Sequence, residues 1–147
     1  FFVAYGQQTI HPGEFVESVF IPRPDPEDVV LVAKLSKRFD SDISALCGAF
    51  RLSVREGTIT AARVAFGGMA GTPRRAPACE AALTGAPFGA EAIERGAAAL
   101  ATDYAPLDDL RGSAAYRLEA AANLLRRLWA RAGGAPVSVL DAEAIDG

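Results

Sequence analysis

The chain has 147 residues, of which 50% are apolar and 22% charged, a balance typical of one compact globular domain. Its formal net charge of −3 argues against a nucleic-acid partner, because phosphate binding requires a basic surface. No apolar run approaches the roughly 18 residues that a membrane span requires, so we expect a soluble protein with no membrane partner.

The first 27 residues predict the end of a preceding domain followed by a proline-rich connector. The sequence starts with Phe1-Phe2-Val3 and without an initiator methionine, so we expect it to be cut from a longer polypeptide. The apolar stretch GEFVESVFI, residues 13–21, is typical of a short strand. Three prolines stand among charges in residues 21–28, which predicts a break in regular structure there.

Three strands are predicted next. Residues 29–33 form a continuous β-branched run, as expected for a strand covered on both faces. Residues 46–54 alternate between apolar and polar positions, which indicates a strand with one exposed face. A tight turn at residues 55–57 leads to an alternating return strand at 58–66. The two alternating strands predict an antiparallel hairpin.

The rest of the chain predicts three helices, at residues 77–83 and 90–104 and after a cap at Ser113. Gly133-Gly134 ends the last one. Its apolar stripe comprises Leu118, Ala121, Ala122, Leu125, Leu128 and Trp129. The opposite, solvated side is expected to carry Arg117, Glu119, Arg126 and Arg127.

Strands followed by helices predict an α+β domain, with a three-stranded antiparallel sheet and the helices packed on one face. We place this domain at residues 28–132 and a C-terminal tail at 133–147. Within the tail, residues 137–140 are expected to form a short strand or a strap onto a partner.

No catalytic or metal-binding residue is predicted. Cys47 and Cys79 lack the close pairing of zinc or iron–sulfur sites, so we expect reduced, buried thiols in a cytoplasmic protein. His11, the single histidine, has no neighbouring ligand or nucleophile.

One stretch crowds its charges between two apolar runs: Lys34, Lys37, Arg38, Asp40 and Asp42. These residues could form a solvated turn whose exposed ion pairs contribute about 0–1 kcal/mol each. Alternatively, Lys34 is held beside an electron-rich ligand, while Arg38 and Asp42 gate the approach to it. The charges by themselves leave both interpretations open.

Five successive motifs carry a family resemblance: GEFVESVFIP, KLSKRFDSDISALCGAFRL, ARVAFGGMAGTPRRA, CEAALTG and PLDDLRGSAAYRLEAAANLLRR. In this order they resemble the C-terminal part of the flavin-binding portion of bacterial xanthine dehydrogenase small subunits, a domain of the carbon monoxide dehydrogenase flavoprotein type. The resemblance runs through nearly all of residues 1–127.

The resemblance implies an NAD-dependent enzyme that oxidises hypoxanthine and xanthine to urate at a molybdenum cofactor, and passes electrons through two 2Fe-2S clusters to FAD and NAD. Residues 1–27 would end the FAD-binding domain, and residues 28–132 would form the C-terminal flavoprotein subdomain. The clusters and most of the FAD site would lie upstream in the same subunit. Molybdenum would lie in a large partner subunit, which implies a hetero-oligomer.

The resemblance also implies roles for individual residues. Lys34 would reach the flavin and place positive charge near its ring. Arg38 and Asp42 would belong to the turn that lies over the flavin, near the path of the nicotinamide. Animal relatives carry a further acidic residue where Ser41 stands here. Arg117 would be a structural anchor to the neighbouring domain.

Three alternatives remain at this level. The chain could belong to a sister enzyme that acts on carbon monoxide, nicotinate or aromatic thioesters. It could be a purely structural module that docks subunits. It could also be a free-standing binder of FAD or NAD, although we expect the isolated fragment to have no activity and no measurable affinity.

Overall fold

A four-stranded antiparallel sheet and three helices form most of the computed structural model of this chain, which describes residues 1–135. The strands are β1 (Phe2–Ala4), β2 (Gln7–Gln8), β3 (Val29–Leu35), β4 (Leu46–Arg55), β5 (Thr58–Gly67) and β6 (Arg74–Arg75). The helices are α1 (Pro77–Leu83), α2 (Ala90–Asp103) and α3 (Ala114–Ala132). The element predicted at residues 137–140 lies outside the described residues. Within residues 1–135, every helix is too short or too polar to cross a bilayer.

The N-terminal region is a small ribbon and a long connector. Strands β1 and β2 pair with each other, and residues 9–28 contain no helix or strand. The strand predicted at residues 13–21 is therefore wrong: Phe15 and Phe20 are 81% and 88% exposed. A strand requires hydrogen bonds to a neighbouring strand, and no part of residues 1–135 supplies them to this segment.

The main sheet has the strand order β3-β4-β5-β6, with all neighbours antiparallel. The hairpin of β4 and β5 confirms the prediction, and its turn places Glu56 and Gly57 at positive φ. The prediction of three strands is wrong, because Arg74 and Arg75 pair with the end of β5 as a fourth strand. A strand of two residues is too short to show an alternating pattern in the sequence.

The two faces of this sheet differ. One face is buried under the helices, and it carries Leu31, Leu46, Phe50, Leu52, Ala62, Val64 and Phe66. We call the other the open face; it carries Val30, Val32, Lys34, Cys47, Ala49, Arg51, Arg63, Ala65 and Gly67. Val30 is 41% and Val32 69% exposed, so the prediction that this strand is covered on both faces is wrong for the described chain.

The three helices confirm their predicted positions, and α2 ends one residue earlier than expected. Ser113 caps α3, since its Oγ accepts a hydrogen bond from the Tyr116 N–H at 3.1 Å. Gly96 lies where the helices meet: a Cβ there would be 2.9 Å from Leu83 Cδ2 and 3.2 Å from Leu125 Cδ2. The close approach of the helices explains a glycine that would otherwise weaken α2.

Candidate functional site

The charged turn, residues 36–45, joins the end of β3 to the start of β4. Its base is closed by a hydrogen bond from the Ala45 N–H to the Leu35 carbonyl at 2.8 Å. Inside it, Ser36 Oγ donates to the Arg38 carbonyl at 2.8 Å. Ser41 has φ of 50°, in the left-handed region that few side chains favour. The turn therefore has a specific shape to which its own polar groups contribute.

The Asp42 carboxylate organises this shape. Its Oδ2 accepts from the Arg38 N–H at 3.0 Å and its Oδ1 from the Ile43 N–H at 2.9 Å. The Arg38 guanidinium lies 3.6 Å from Oδ1. The Arg38 N–H and then the Arg38 guanidinium hold the pKa of Asp42 below its usual range, although partial burial opposes them. This carboxylate is ionised near neutral pH and is occupied within the turn.

Lys34 is the last open-face residue of β3, and its ammonium reaches over the turn. Its Nζ donates to the Asp42 carbonyl at 2.6 Å. The structure thus brings together the three residues singled out in the sequence, Lys34, Arg38 and Asp42. The Arg38 side chain is 71% exposed, whereas that of Asp42 is only 19% exposed.

Small residues surround Lys34 on the open face. Its cross-strand neighbour is Cys47 on β4, which pairs in turn with Gly67 on β5. The next row of the same face consists of Val32, Ala49 and Ala65. We call these six residues the platform; Lys34 is their one cation, the other five are uncharged and no larger than valine, and the row of Ala65 continues to Arg75 on β6. A lysine ammonium has three donors, and the Asp42 carbonyl takes one of them.

The charged turn and the platform supply hydrogen-bond donors and an ammonium charge. Burial raises the pKa of the Cys79 thiol to about 12, with smaller contributions from Asp103 and Glu80, so Cys79 is not a nucleophile. Within residues 1–135, no three side chains of the His, Cys, Asp or Glu type gather as a metal site. The site can hold a flat acceptor ligand near the Lys34 ammonium.

The sequence analysis misjudged two residues of α3: Trp129, which was expected on the apolar stripe but is 39% exposed, and Arg117. Arg117 was expected on a solvated side of α3, but it is only 4% exposed. Its Nη1 donates to the carbonyls of Ala45 and Gly68, the latter at 2.7 Å. A signal was present, because the buried positions of α3 repeat at 117, 120, 121, 124, 125 and 128. The prediction failed because it assumed that an arginine faces solvent.

Comparisons with known proteins agree on the family. A family model described as the CO dehydrogenase flavoprotein C-terminal domain matches residues 32–132. The nicotinate hydroxylase of Emericella nidulans is 30% identical over 135 residues, which cover 87% of this chain and 10% of that protein. The carbon monoxide dehydrogenase medium chain of Afipia carboxidovorans is 29% identical over 123 residues, which cover 84% of this chain and 42% of that protein.

A solved structure shares the fold as well. Carbon monoxide dehydrogenase from Hydrogenophaga pseudoflava superposes with a TM-score of 0.68 at 31% identity, over 76% of this chain and 40% of that one. The chain therefore spans less than half the length of each relative. Since the matched residues include the second half of β3, the charged turn and all three helices, this chain belongs to the CO dehydrogenase flavoprotein C-terminal domain family.

Proposed function

We propose that this chain is the C-terminal subdomain of the flavin subunit of a molybdenum hydroxylase, where it supports FAD without chemistry of its own. The observation that carries the proposal is the Lys34 ammonium, exposed beside the small side chains of the platform. The family match over residues 32–132 supports the proposal independently of the structure. When bound, FAD would supply electron transfer between iron–sulfur clusters and an acceptor.

The residues present fit one edge of such a cofactor. A flavin ring system is flat, and the platform carries no side chain larger than valine beside Lys34. Ring oxygens and nitrogens are hydrogen-bond acceptors, and the Lys34 ammonium retains donors for them. We propose that Lys34 lies against the ring edge and favours negative charge there. The rest of the cofactor would be held by residues upstream of this chain.

Arg38 and Asp42 take different roles in this proposal. Asp42 shapes the turn, because its carboxylate already accepts from two backbone N–H groups. Arg38 keeps its guanidinium exposed at the approach to Lys34, so it is the residue that an incoming anionic acceptor would meet. The gate suggested by the sequence would therefore be Arg38, held in place by Asp42.

For the complete enzyme we propose a hetero-oligomer in which 2Fe-2S clusters lie upstream in the same subunit and molybdenum in a larger partner. The motif KLSKRFDSDIS resembles the xanthine dehydrogenase branch of the family, and we propose that such an enzyme would pass electrons to NAD in the cytoplasm. A nicotinate hydroxylase or a carbon monoxide dehydrogenase is equally compatible with the relatives found. Turnover of the purified holoenzyme with xanthine, nicotinate or carbon monoxide, each with NAD or a dye, separates these alternatives.

The role of Lys34 is tested by Lys34→Ala in the holoenzyme. We expect the flavin midpoint potential to fall by an amount on the order of tens of millivolts, because a cation favours the more negative, reduced ring. Lys34→Arg keeps the charge and should keep most of the potential. Arg95→Gln is the matched control, since it removes a cation from the exposed side of α2.

The competing function is a structural docking module without a ligand. That function is supported if Lys34→Ala leaves the FAD content, the flavin potential and the rate of acceptor reduction unchanged. A free-standing binder is tested by titrating the 147-residue chain with FAD or NAD. Saturable micromolar binding would contradict the proposal that this chain contributes only one edge of the site.

A further inference from the structure

The structure assigns to Arg117 the role of a positioning residue, which holds the charged turn and the platform in register with the cofactor. This inference rests on the proposed function, since it concerns the place of Lys34 relative to FAD. The hydrogen-bond partners of Arg117 include neither Lys34 nor any other platform residue. It acts through the backbone of the two segments that border them.

Arg117 binds two backbone carbonyls that lie close together. Nη1 donates to both Ala45, at the base of the turn, and Gly68, directly after β5. Both positions lie just beyond the platform row of Lys34, Cys47 and Gly67, at the same end of the sheet. One guanidinium nitrogen thus ties together the chain segments that border Cys47 and Gly67 at that end.

The backbone geometry at Gly68 allows this contact. Gly68 has φ of +83°, and a Cβ there would lie 2.5 Å from the Ala45 carbonyl oxygen. A side chain at position 68 would therefore force the two segments apart. The glycine permits the carbonyls to converge, and the buried cation satisfies both of them.

The loop at residues 109–112 connects Arg117 to the outer side of the turn. Arg117 Nη2 donates to Asp109 Oδ1 at 2.5 Å, and Nε to the Gly112 carbonyl at 3.4 Å. From the turn, Lys37 Nζ donates to the Leu110 carbonyl at 2.7 Å. The turn is therefore held at its base by Arg117 and at its side by the loop that Arg117 binds.

The acceptors explain why this residue is an arginine. They lie in three separate segments, and the planar guanidinium presents its donors in a fixed fork that reaches all of them. A lysine would keep the charge for Asp109 but could not span the same acceptors with fixed geometry. The Arg117→Lys variant therefore removes positioning while it leaves the buried charge paired.

The test uses the complete flavin subunit in the holoenzyme, with two readouts other than turnover. Arg117→Lys is expected to lower the flavin midpoint potential in the same direction as Lys34→Ala, but by less. In the double variant we expect no further fall beyond that of Lys34→Ala, because Arg117 acts through Lys34. Amide hydrogen exchange of residues 36–45 should become several-fold faster in the Arg117 variant, with and without FAD.

Lys37→Ala supplies a second variant that does not disturb the core, because Lys37 is exposed. It removes the outer tie together with one exposed cation, so a smaller fall in potential is expected, and faster exchange confined to the turn reports the loss of the tie itself. If Arg117→Lys does not fold, this variant carries the test. Arg131→Lys, at the exposed C-terminal end of α3, is the matched control and should change neither readout.

The outcomes separate this inference from the proposal on which it rests. If Lys34→Ala lowers the potential but Arg117→Lys and Lys37→Ala only lower the melting temperature, Arg117 is merely structural and the inference is overturned. If Lys34→Ala itself leaves the potential unchanged, the proposed contact with FAD fails, and the role of Arg117 toward it fails as well.

Discussion

The covered and open faces of the sheet use the same strands for different purposes. The covered face places Phe50 and Phe66 edge to face, with ring centroids 5.3 Å apart, beneath the helices. On the open face the neighbouring positions are small or cationic, such as Ala49, Ala65 and Lys34. One face therefore supplies the stability of the domain, whereas the other leaves small and cationic side chains exposed, as the proposed contact with FAD requires.

The largest effect is expected when a large side chain is removed from the covered face. Phe66 is 1% exposed, and its ring also meets that of Tyr104, with centroids 5.6 Å apart. Phe66→Ala should lower the free energy of unfolding by about 3–5 kcal/mol, since it leaves a cavity. Urea denaturation followed by circular dichroism measures this. A loss below about 1 kcal/mol would mean that the aromatic cluster is not central to the fold.

A matched pair of substitutions compares the faces directly. Val64 is fully buried on the covered face, whereas Val32 is 69% exposed on the open face. Val64→Thr should cost about 1–3 kcal/mol, because it buries a hydroxyl without a partner. Val32→Thr should stay within about 0.5 kcal/mol, because the hydroxyl remains in water. Equal costs at both positions in the 147-residue chain would contradict the assignment of the two faces.

The pH dependence of stability tests the polar connection between α3 and the turn. The Arg111 N–H and the Arg117 guanidinium hold the pKa of Asp109 below its ordinary value of 3.8, despite some burial. Its contribution is therefore complete above that value and is lost as the pH falls through the folded-state pKa. The difference in unfolding free energy between the parent chain and Asp109→Asn should shrink below about pH 4.

The exposed Glu91 on α2 provides the control for that titration. Glu91→Gln should leave the pH profile of stability nearly unchanged, because exposed helix pairs contribute only about 0.3–0.5 kcal/mol. If the Asp109→Asn difference were the same at every pH, the carboxylate would not act through its charge.

The smallest expected effect is a difference in the rate of alkylation between the two free thiols. Cys79 is fully buried, and burial raises the pKa of its thiol to about 12, whereas Cys47 is partly exposed on the open face. An alkylating reagent should therefore modify Cys47 in the folded chain and Cys79 only after unfolding. Mass spectrometry of the labelled peptides distinguishes them. Faster modification of Cys79 than of Cys47 would contradict the assignment of the covered and open faces.

Much of the fold could be predicted from local patterns. Alternation predicted the hairpin of β4 and β5, and the spacing of apolar residues predicted α1, α2 and α3 almost to the residue. Strand β6 could not be predicted, because its two residues become a strand only through hydrogen bonds to β5. For the same reason the apolar stretch at residues 13–21 looked like a strand but has no partner within residues 1–135.

For the candidate site, too, one part could be predicted from the sequence and another part could not. The sequence by itself determined that charges gather at residues 34–42, and its motifs pointed to the family that the comparisons show. Only the tertiary structure decided that Asp42 is occupied within the turn while Lys34 keeps free donors above small residues. It also decided that Arg117 is buried. The physical reason is that a hydrogen bond or a buried charge depends on the position of its partner, which can lie 72 residues away, as Ala45 does from Arg117.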